Sequence, residues 1–179
     1  MLNFESMIFD LQPILENEWV ELRPLKEEDL DSLYLVASDP LIWEQHPQKE
    51  RWKRPVFEQF FREAMDCGGA FLIVDKIGGR TMGTTRFCVL KESIRAIEIG
   101  WTFLGRDYWG GFYNREVKKL MMDYAFQYVE HIIFFINQDN IRSQKAVEKM
   151  GGKRITGLED QHWEPRTSAT VIYGLSSKG

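Results

Sequence analysis

Two periodicities alternate along the chain, one of two residues and one near 3.6, and they divide it into elements. The stretch WVELRPL (19–25) alternates apolar and polar residues and ends in proline, which predicts a strand. Residues 26–38 place Leu30, Leu33, Tyr34 and Ala37 at helical spacing, with acids in the first turn where the helix dipole favours them. Residues 39–55 are punctuated by Pro40, Pro47 and Pro55, which predicts a loop with a short helix. Residues 56–65 read as a helix with Val56, Phe60 and Ala64 on one stripe, stopped by Gly68-Gly69. AFLIVDK (70–76) and TMGTTRFCVL (81–90) flank IGGR, which predicts a hairpin, and IRAIEIGWTFL (94–104) predicts a third consecutive strand.

After a Gly-Gly turn, Val117, Leu120, Met121, Tyr124, Ala125 and Tyr128 form one apolar helical face. HIIFFIN (131–137) reads as a buried strand, residues 140–150 as a helix closed by Gly151-Gly152, and SATVIYGL (168–175) as a last strand. Consecutive strands pair antiparallel and strand–helix–strand units cross over in parallel. The expected fold class is therefore α/β: a three-layer domain with a mixed, mostly antiparallel central sheet flanked by helices. One domain is expected to span residues 1–179, a length sufficient for a substantial core.

Composition narrows the function classes. Hydrophobic residues make up 44% and charged residues 28%, ordinary for a folded soluble chain. A net charge of −4 gives no global attraction to nucleic acid or to an anionic membrane, so neither is expected as a partner. Cys67 and Cys88 are too few for a disulfide framework or a thiolate zinc site. His46, His131 and His162 lack metal-ligand spacing, so no metal is expected. The segment MLNFESMIFDLQ has early acids and no basic region, unlike a signal peptide, and no apolar run is long enough for a membrane span. A cytoplasmic setting is the expectation.

The most informative stretch is RDYWGGFYNRE (106–116), at a strand-to-helix junction. A helix starting near Tyr113 presents free backbone N–H groups and positive dipole density, with Arg115 adding charge, a combination suited to phosphate or pyrophosphate. A plain tight turn is the other reading of Gly110-Gly111. Two phosphate motifs are excluded: no G-x-G-x-x-G follows a strand, and Gly78-Gly79-Arg80-Thr81-Met82-Gly83 lacks the lysine of a P-loop and lies in a hairpin.

Three ordered segments, LRPLKEEDLDSLYLVASDP, EIGWTFLGRDYWGGFYNREVKKLMMDYAF and NIRSQKAVEKMGG, resemble the GNAT acetyltransferases, within them the branch of ribosomal-protein N-terminal acetyltransferases. The resemblance runs from about residue 19 to 175. It implies acetyl-CoA as co-substrate and a pyrophosphate loop at Trp109, Gly110, Gly111, Tyr113, Asn114 and Arg115. Phe112 and Asn114 depart from the Gly/Ala of the family pattern, so Phe112 must point away and the two glycines must supply the backbone freedom. The resemblance also implies that Thr102, Phe103 and Leu104 pair their backbone with the pantetheine arm, where an N–H polarises the thioester carbonyl. Glu98 matches a glutamate that acts as general base in several members. Asn140 matches an asparagine near the pantetheine, and Arg142, with neighbouring lysines, offers a basic patch for a phosphate. Val147 stands where many members carry a proton-donating tyrosine, and Ser143 matches a serine that takes this role in the N-terminal acetyltransferase branch.

On the acceptor side, Trp43, His46 and Trp52 lie in the proline-punctuated segment, and Phe87 and Trp101 on neighbouring strands. These aromatic residues and the histidine read equally well as pocket lining or as packing over the sheet. The expected activity is N-acetyl transfer from acetyl-CoA to a primary amine, a protein N-terminus or a small molecule, directly in a ternary complex. A non-catalytic acyl-CoA-binding or interaction module on the same fold is the alternative. The oligomeric state is left open, homodimer included.

Overall fold

Near-continuous burial along the central strands, with successive side chains going to opposite faces, explains why this chain builds a sheet covered on both faces. In the computed structural model, which describes residues 2–4, 7–91, 95–156 and 165–177, β5 (Ala70–Asp75) sends Phe71 and Ile73 into one apolar cluster and Ala70 and Leu72 into another. The second cluster is built by α1 (Leu30–Ala37) and α2 (Arg54–Asp66), the first by α3 (Phe112–Ala125) and Val147 of α4 (Ile141–Lys149).

Eight strands form the main sheet: β3 (Leu15–Glu16), β4 (Val20–Pro24), β5, β6 (Thr81–Lys91), β7 (Ala96–Leu104), β8 (His131–Asn137), β10 (Thr170–Ser176) and β9 (Lys153–Ile155), in that spatial order. A separate two-stranded ribbon pairs β1 (Leu2–Phe4) with β2 (Met7–Phe9). Every neighbouring pair of the main sheet is antiparallel except β7 with β8. The mixed, mostly antiparallel three-layer architecture is thus the one the periodicity predicts. The first residue of the predicted third strand, Ile94, lies outside the described residues, as does His162.

Direction follows from counting reversals. One helix, α3, joins β7 to β8, so the strands run parallel. Two helices join β4 to β5, and the pair is antiparallel. The step through α4 corrects the expectation of a parallel crossover between 131–137 and 168–175: those strands, β8 and β10, pair antiparallel, because α4 leads first to the unpredicted short strand β9, which runs parallel to β8 with β10 between them. The α2 stripe is also shifted. Phe57, Phe60, Phe61 and Ala64 are buried and Val56 is only half-buried, because the helix starts at Arg54 and its three phenylalanines have the larger apolar area to remove from water.

Two irregularities shape the carboxyl end of β7. The β7–β8 ladder ends at Glu98–Ile133, although β7 runs on to Leu104 and β8 to Asn137. In the β6–β7 ladder the partners step from Thr84–Phe103 to Arg86–Gly100, so β7 carries one extra residue there. The bulge contains Trp101, whose φ of +51° is costly for a large side chain and is held by its surroundings.

Candidate active site

A cavity of about 530 Å³ opens where β7 and β8 stop pairing. Its walls are the ends of both strands, the segment before α2, and the inward sides of α3 and α4. The carboxyl ends of diverging parallel strands leave such a crevice because no ladder partner fills it.

Glu98 lines this cavity at the last position of β7 that pairs with β8 and is only 1% exposed. Its carboxylate accepts from the Arg166 guanidinium. Burial pushes the Glu98 carboxyl up to about 7, although Arg166 and Arg86 pull the other way. A carboxylate poised there accepts a proton near neutral pH. Arg166 stacks 4.8 Å from the Trp101 ring and 4.7 Å from the Phe135 ring. Arg86 lies over Trp101 and Phe60, and Arg51 over Phe60 and Trp43. Guanidinium groups and aromatic faces therefore alternate along this wall, an arrangement that favours desolvated cations.

Trp43 is buried and lines the cavity, with its indole donating to the Ala37 carbonyl at 2.7 Å. His46 lines it too. Burial and the Arg51 charge hold its imidazole down to about 4, so it is neutral at neutral pH. Trp101, Thr102, Phe103, Asn114, Asn140 and Ser143 are brought to the same cavity. Asn140 caps α4 by accepting the Ser143 amide at 3.2 Å. Phe87 lies elsewhere: it is fully buried against Phe9, Phe71 and Tyr124 and lines no part of the cavity, because its strand position faces α3. Trp52 is 37% exposed under Lys53 and likewise stands apart, since the 3₁₀ turn carrying it has no buried residue. Leu104 is a core residue whose carbonyl accepts the Trp109 indole N–H at 3.0 Å.

The glycine junction is an open left-handed turn. Gly110 and Gly111 have φ of +102° and +96°, and a Cβ on either would meet nothing within 4 Å. Backbone conformation, not space, therefore selects glycine. The first intrahelical bond of α3 runs from the Arg115 amide to Gly111, so the amides of Phe112, Tyr113 and Asn114 precede it as open donors. Phe112 packs edge-on against Trp19 and Tyr113 and does not line the cavity. Arg142 reaches across from α4 to lie over the Trp109 ring. Free donors, a helix N-terminus and Arg142 suit the pyrophosphate and phosphate groups of coenzyme A.

Three basic residues of the cavity wall, Arg166, Arg51 and Lys118, escaped the sequence reading. Arg166 meets Glu98 across 68 residues, a contact no local pattern encodes. Arg51 sits in a segment read for its aromatic residues. Lys118 is 5% exposed, and its ammonium donates to Thr102 Oγ1 at 2.6 Å and to Thr85 Oγ1 at 3.4 Å. A signal for it existed: Lys118 lies three and seven residues before Met121 and Ala125, inside the buried arc of α3. Among the described residues no group of three or more His, Cys, Asp or Glu could hold a metal ion, and no helix is long and apolar enough to cross a membrane.

Similarity to known proteins agrees with this geometry. The family described as "Acetyltransferase (GNAT) domain" matches residues 20–153. A GCN5-related N-acetyltransferase from Brucella melitensis superposes with a TM-score of 0.76 at 22% identity, over 92% of this chain and 79% of that one. A ribosomal-protein-serine acetyltransferase-like protein from Vibrio cholerae gives 0.71 at 13% identity, over 94% and 99%. Spermidine N-acetyltransferase from Vibrio cholerae, in complex with CoA and spermine, gives 0.65 at 14% identity, over 89% and 96%. With a diverging strand pair, an open glycine turn at a helix N-terminus and a family match over most of its length, the chain belongs to the GNAT family and is an acyl-CoA-dependent acetyltransferase.

Proposed function

We propose that the chain moves the acetyl group of acetyl-CoA directly to a primary amine, a protein N-terminus or a small molecule, in a ternary complex. The observation that carries this reading is Glu98: a buried carboxyl, at about 7, on the cavity wall where the two parallel strands part. An ammonium has no lone pair to attack with, and a lysine-like amine of pKa about 10.4 is almost wholly protonated at neutral pH. Glu98, directly or through a water, takes the proton. Arg166 orients the carboxylate and keeps it ionised to lower pH than burial alone allows.

The remaining roles follow from the same reading. The amides of residues 112–114, with Gly110 and Gly111 setting the turn, would hold the pyrophosphate, and Trp109, Arg115 and Arg142 flank it. The backbone of residues 102–104 would pair with the pantetheine, and the Asn140-capped end of α4 would face it. Trp43, His46 and Trp101 would border the acceptor. Arg51, Arg166 and Lys118 line the cavity with Glu98 as the one carboxylate among its described lining residues. Such a wall repels a polycation and favours a mono-amine whose remainder is neutral or anionic.

Calorimetric titration with acetyl-CoA and with desulfo-coenzyme A tests the cofactor part. Micromolar binding of both is expected; no heat at saturating ligand would sink it. A thiol-release assay over peptides with free N-termini, mono-amines and polyamines tests the acceptor part. Turnover with a mono-amine or peptide supports the reading, and turnover confined to polyamines overturns the acceptor class.

A further inference from the structure

Lys118 is a buried cation to which neither cofactor binding nor amine deprotonation assigns a role. It sits on α3 between hydroxyls of β6 and β7, with the Phe134 ring of β8 at 5.9 Å. Two of its three N–H groups are taken by Thr102 and Thr85, and among the described residues no carboxylate pairs with it. An ammonium without a counter-ion is expensive to bury, and a ligand that brings negative charge offsets that cost. Across the cavity, Val147 occupies the position where the family resemblance implies a tyrosine acid. Val147 is buried and apolar, so it has no proton to give, and Ser143, which the resemblance offers for the role, lines the cavity with a hydroxyl that is a far weaker acid than an ammonium.

We propose that Lys118 is the proton donor to the coenzyme A sulfur as the acetyl group leaves it, a catalytic residue working from α3 in place of the absent tyrosine on α4. The inference rests on the reading of this cavity as the acetyl-transfer site. Its hydrogen bond to Thr102 places the ammonium beside the strand end assigned to the pantetheine arm. The C–N bond forms as the C–S bond breaks, and the sulfur departs with the electron pair. Lys118 Nζ gives that sulfur a proton, while the proton shed by the acceptor nitrogen passes to Glu98. Exchange with solvent then returns one proton to Lys118 and removes one from Glu98, so the cycle closes. Burial holds the Lys118 ammonium down to about 7. A thiol near about 8.5 takes a proton from such a group downhill.

The groups that also bear on the sulfur's charge are Glu98 on β7, His46 and Arg51 before α2, and Arg166 before β10. The test must therefore isolate Lys118. Coenzyme A is bound to the wild-type protein and to the K118M and K118R variants, and pH is raised while the ultraviolet band of the thiolate is followed. The matching desulfo-coenzyme A complex serves as the blank. Thiol and ammonium titrate as a coupled pair, so in the wild type part of the thiolate band should appear about one pH unit below free coenzyme A, while Lys118 still carries its proton. K118M should abolish that shift and K118R should keep it, with desulfo-coenzyme A binding changed less than about threefold in both.

An unshifted thiol in the wild type, or equal shifts in wild type and K118M, overturns the proposal. Equal loss of both ligands in K118M also overturns it, because Lys118 would then hold the arm and not the sulfur. Failure of desulfo-coenzyme A to bind the wild type is a different result: it removes the cofactor-site reading itself. Should K118M not fold, K118R decides: arginine keeps the charge but gives up no proton, so it should keep the thiol shift and lose turnover, and full turnover in K118R overturns the proposal.

Discussion

Arg142 of α4 holds its guanidinium 4.1 Å from the centre of the Trp109 indole, beside the glycine turn that opens α3. Two elements far apart in sequence thus converge on one loop, and the ring desolvates one side of the cation. The guanidinium also donates to the Ile42 carbonyl at 3.1 Å, which fixes its position before any ligand arrives. Replacing Arg142 with alanine should weaken acetyl-CoA about tenfold or more by calorimetry, the loss typical of one charge-assisted phosphate contact. Added salt should narrow the difference.

Gly110 and Gly111 predict a backbone effect without a steric one. G110A and G111A should each lower stability by about 1–2 kcal/mol, because the left-handed conformation is disfavoured once a Cβ is present. Urea unfolding measures this. Unchanged stability in both would show that the turn relaxes to another conformation at no cost.

Glu98→Gln should reduce turnover by on the order of a hundredfold at neutral pH, within the usual contribution of a general base. In the parent, kcat/KM should fall tenfold per pH unit below about 7, where the carboxyl is protonated. The variant should lose that limb and recover as pH rises, because the free amine itself becomes abundant. Parallel profiles for the two proteins would dismiss Glu98 as the base.

Arg166→Ala removes the partner that holds the Glu98 carboxyl down against burial. The acid limb should then move to higher pH, with less loss of activity on the alkaline side. A limb that stays in place would mean that Arg166 does not set the base's ionisation.

Lys118→Met should stabilise the fold at low pH by about 1–4 kcal/mol, the range seen when buried charge gives way to apolar packing. The sign follows from the folded ammonium lying at about 7, below its ordinary 10.5. Below 7 both folded and unfolded chains carry the proton and the burial cost is complete. Between 7 and 10.5 the native state sheds it first, so wild-type stability rises with pH and the advantage of methionine shrinks. Thermal melts across that range check it.

Much of the fold was legible in the chain itself. The continuous apolar runs at 70–76 and 131–137 are too short for a buried helix and bury both their faces only in a covered sheet. The Val117, Met121 and Ala125 stripe could only pack inward, and it does. The Gly110-Gly111 pair announced a turn that residues with a Cβ enter at a cost. The proposal of Glu98 as the base drew in sequence only on its spacing within a resembling segment, since a single glutamate on a strand is ordinarily a solvated one.

Chain order and local chemistry thus determined the long elements, though not the short strands β1, β2, β3 and β9, together with the sheet's mixed character and the loop at the head of α3. Tertiary structure decided the rest, because it turns on who meets whom. It ended the β7–β8 ladder at Glu98, which made a cavity, and it carried Arg166 over 68 residues to that carboxylate. It set Phe87 in the core and left Trp52 aside, though as aromatic residues in sequence the two were equivalent. It buried Lys118 with no acid beside it among the described residues. Burial and partner charge set the ionisation of Glu98 and Lys118, and both are properties of assembled neighbours that no stretch of sequence contains.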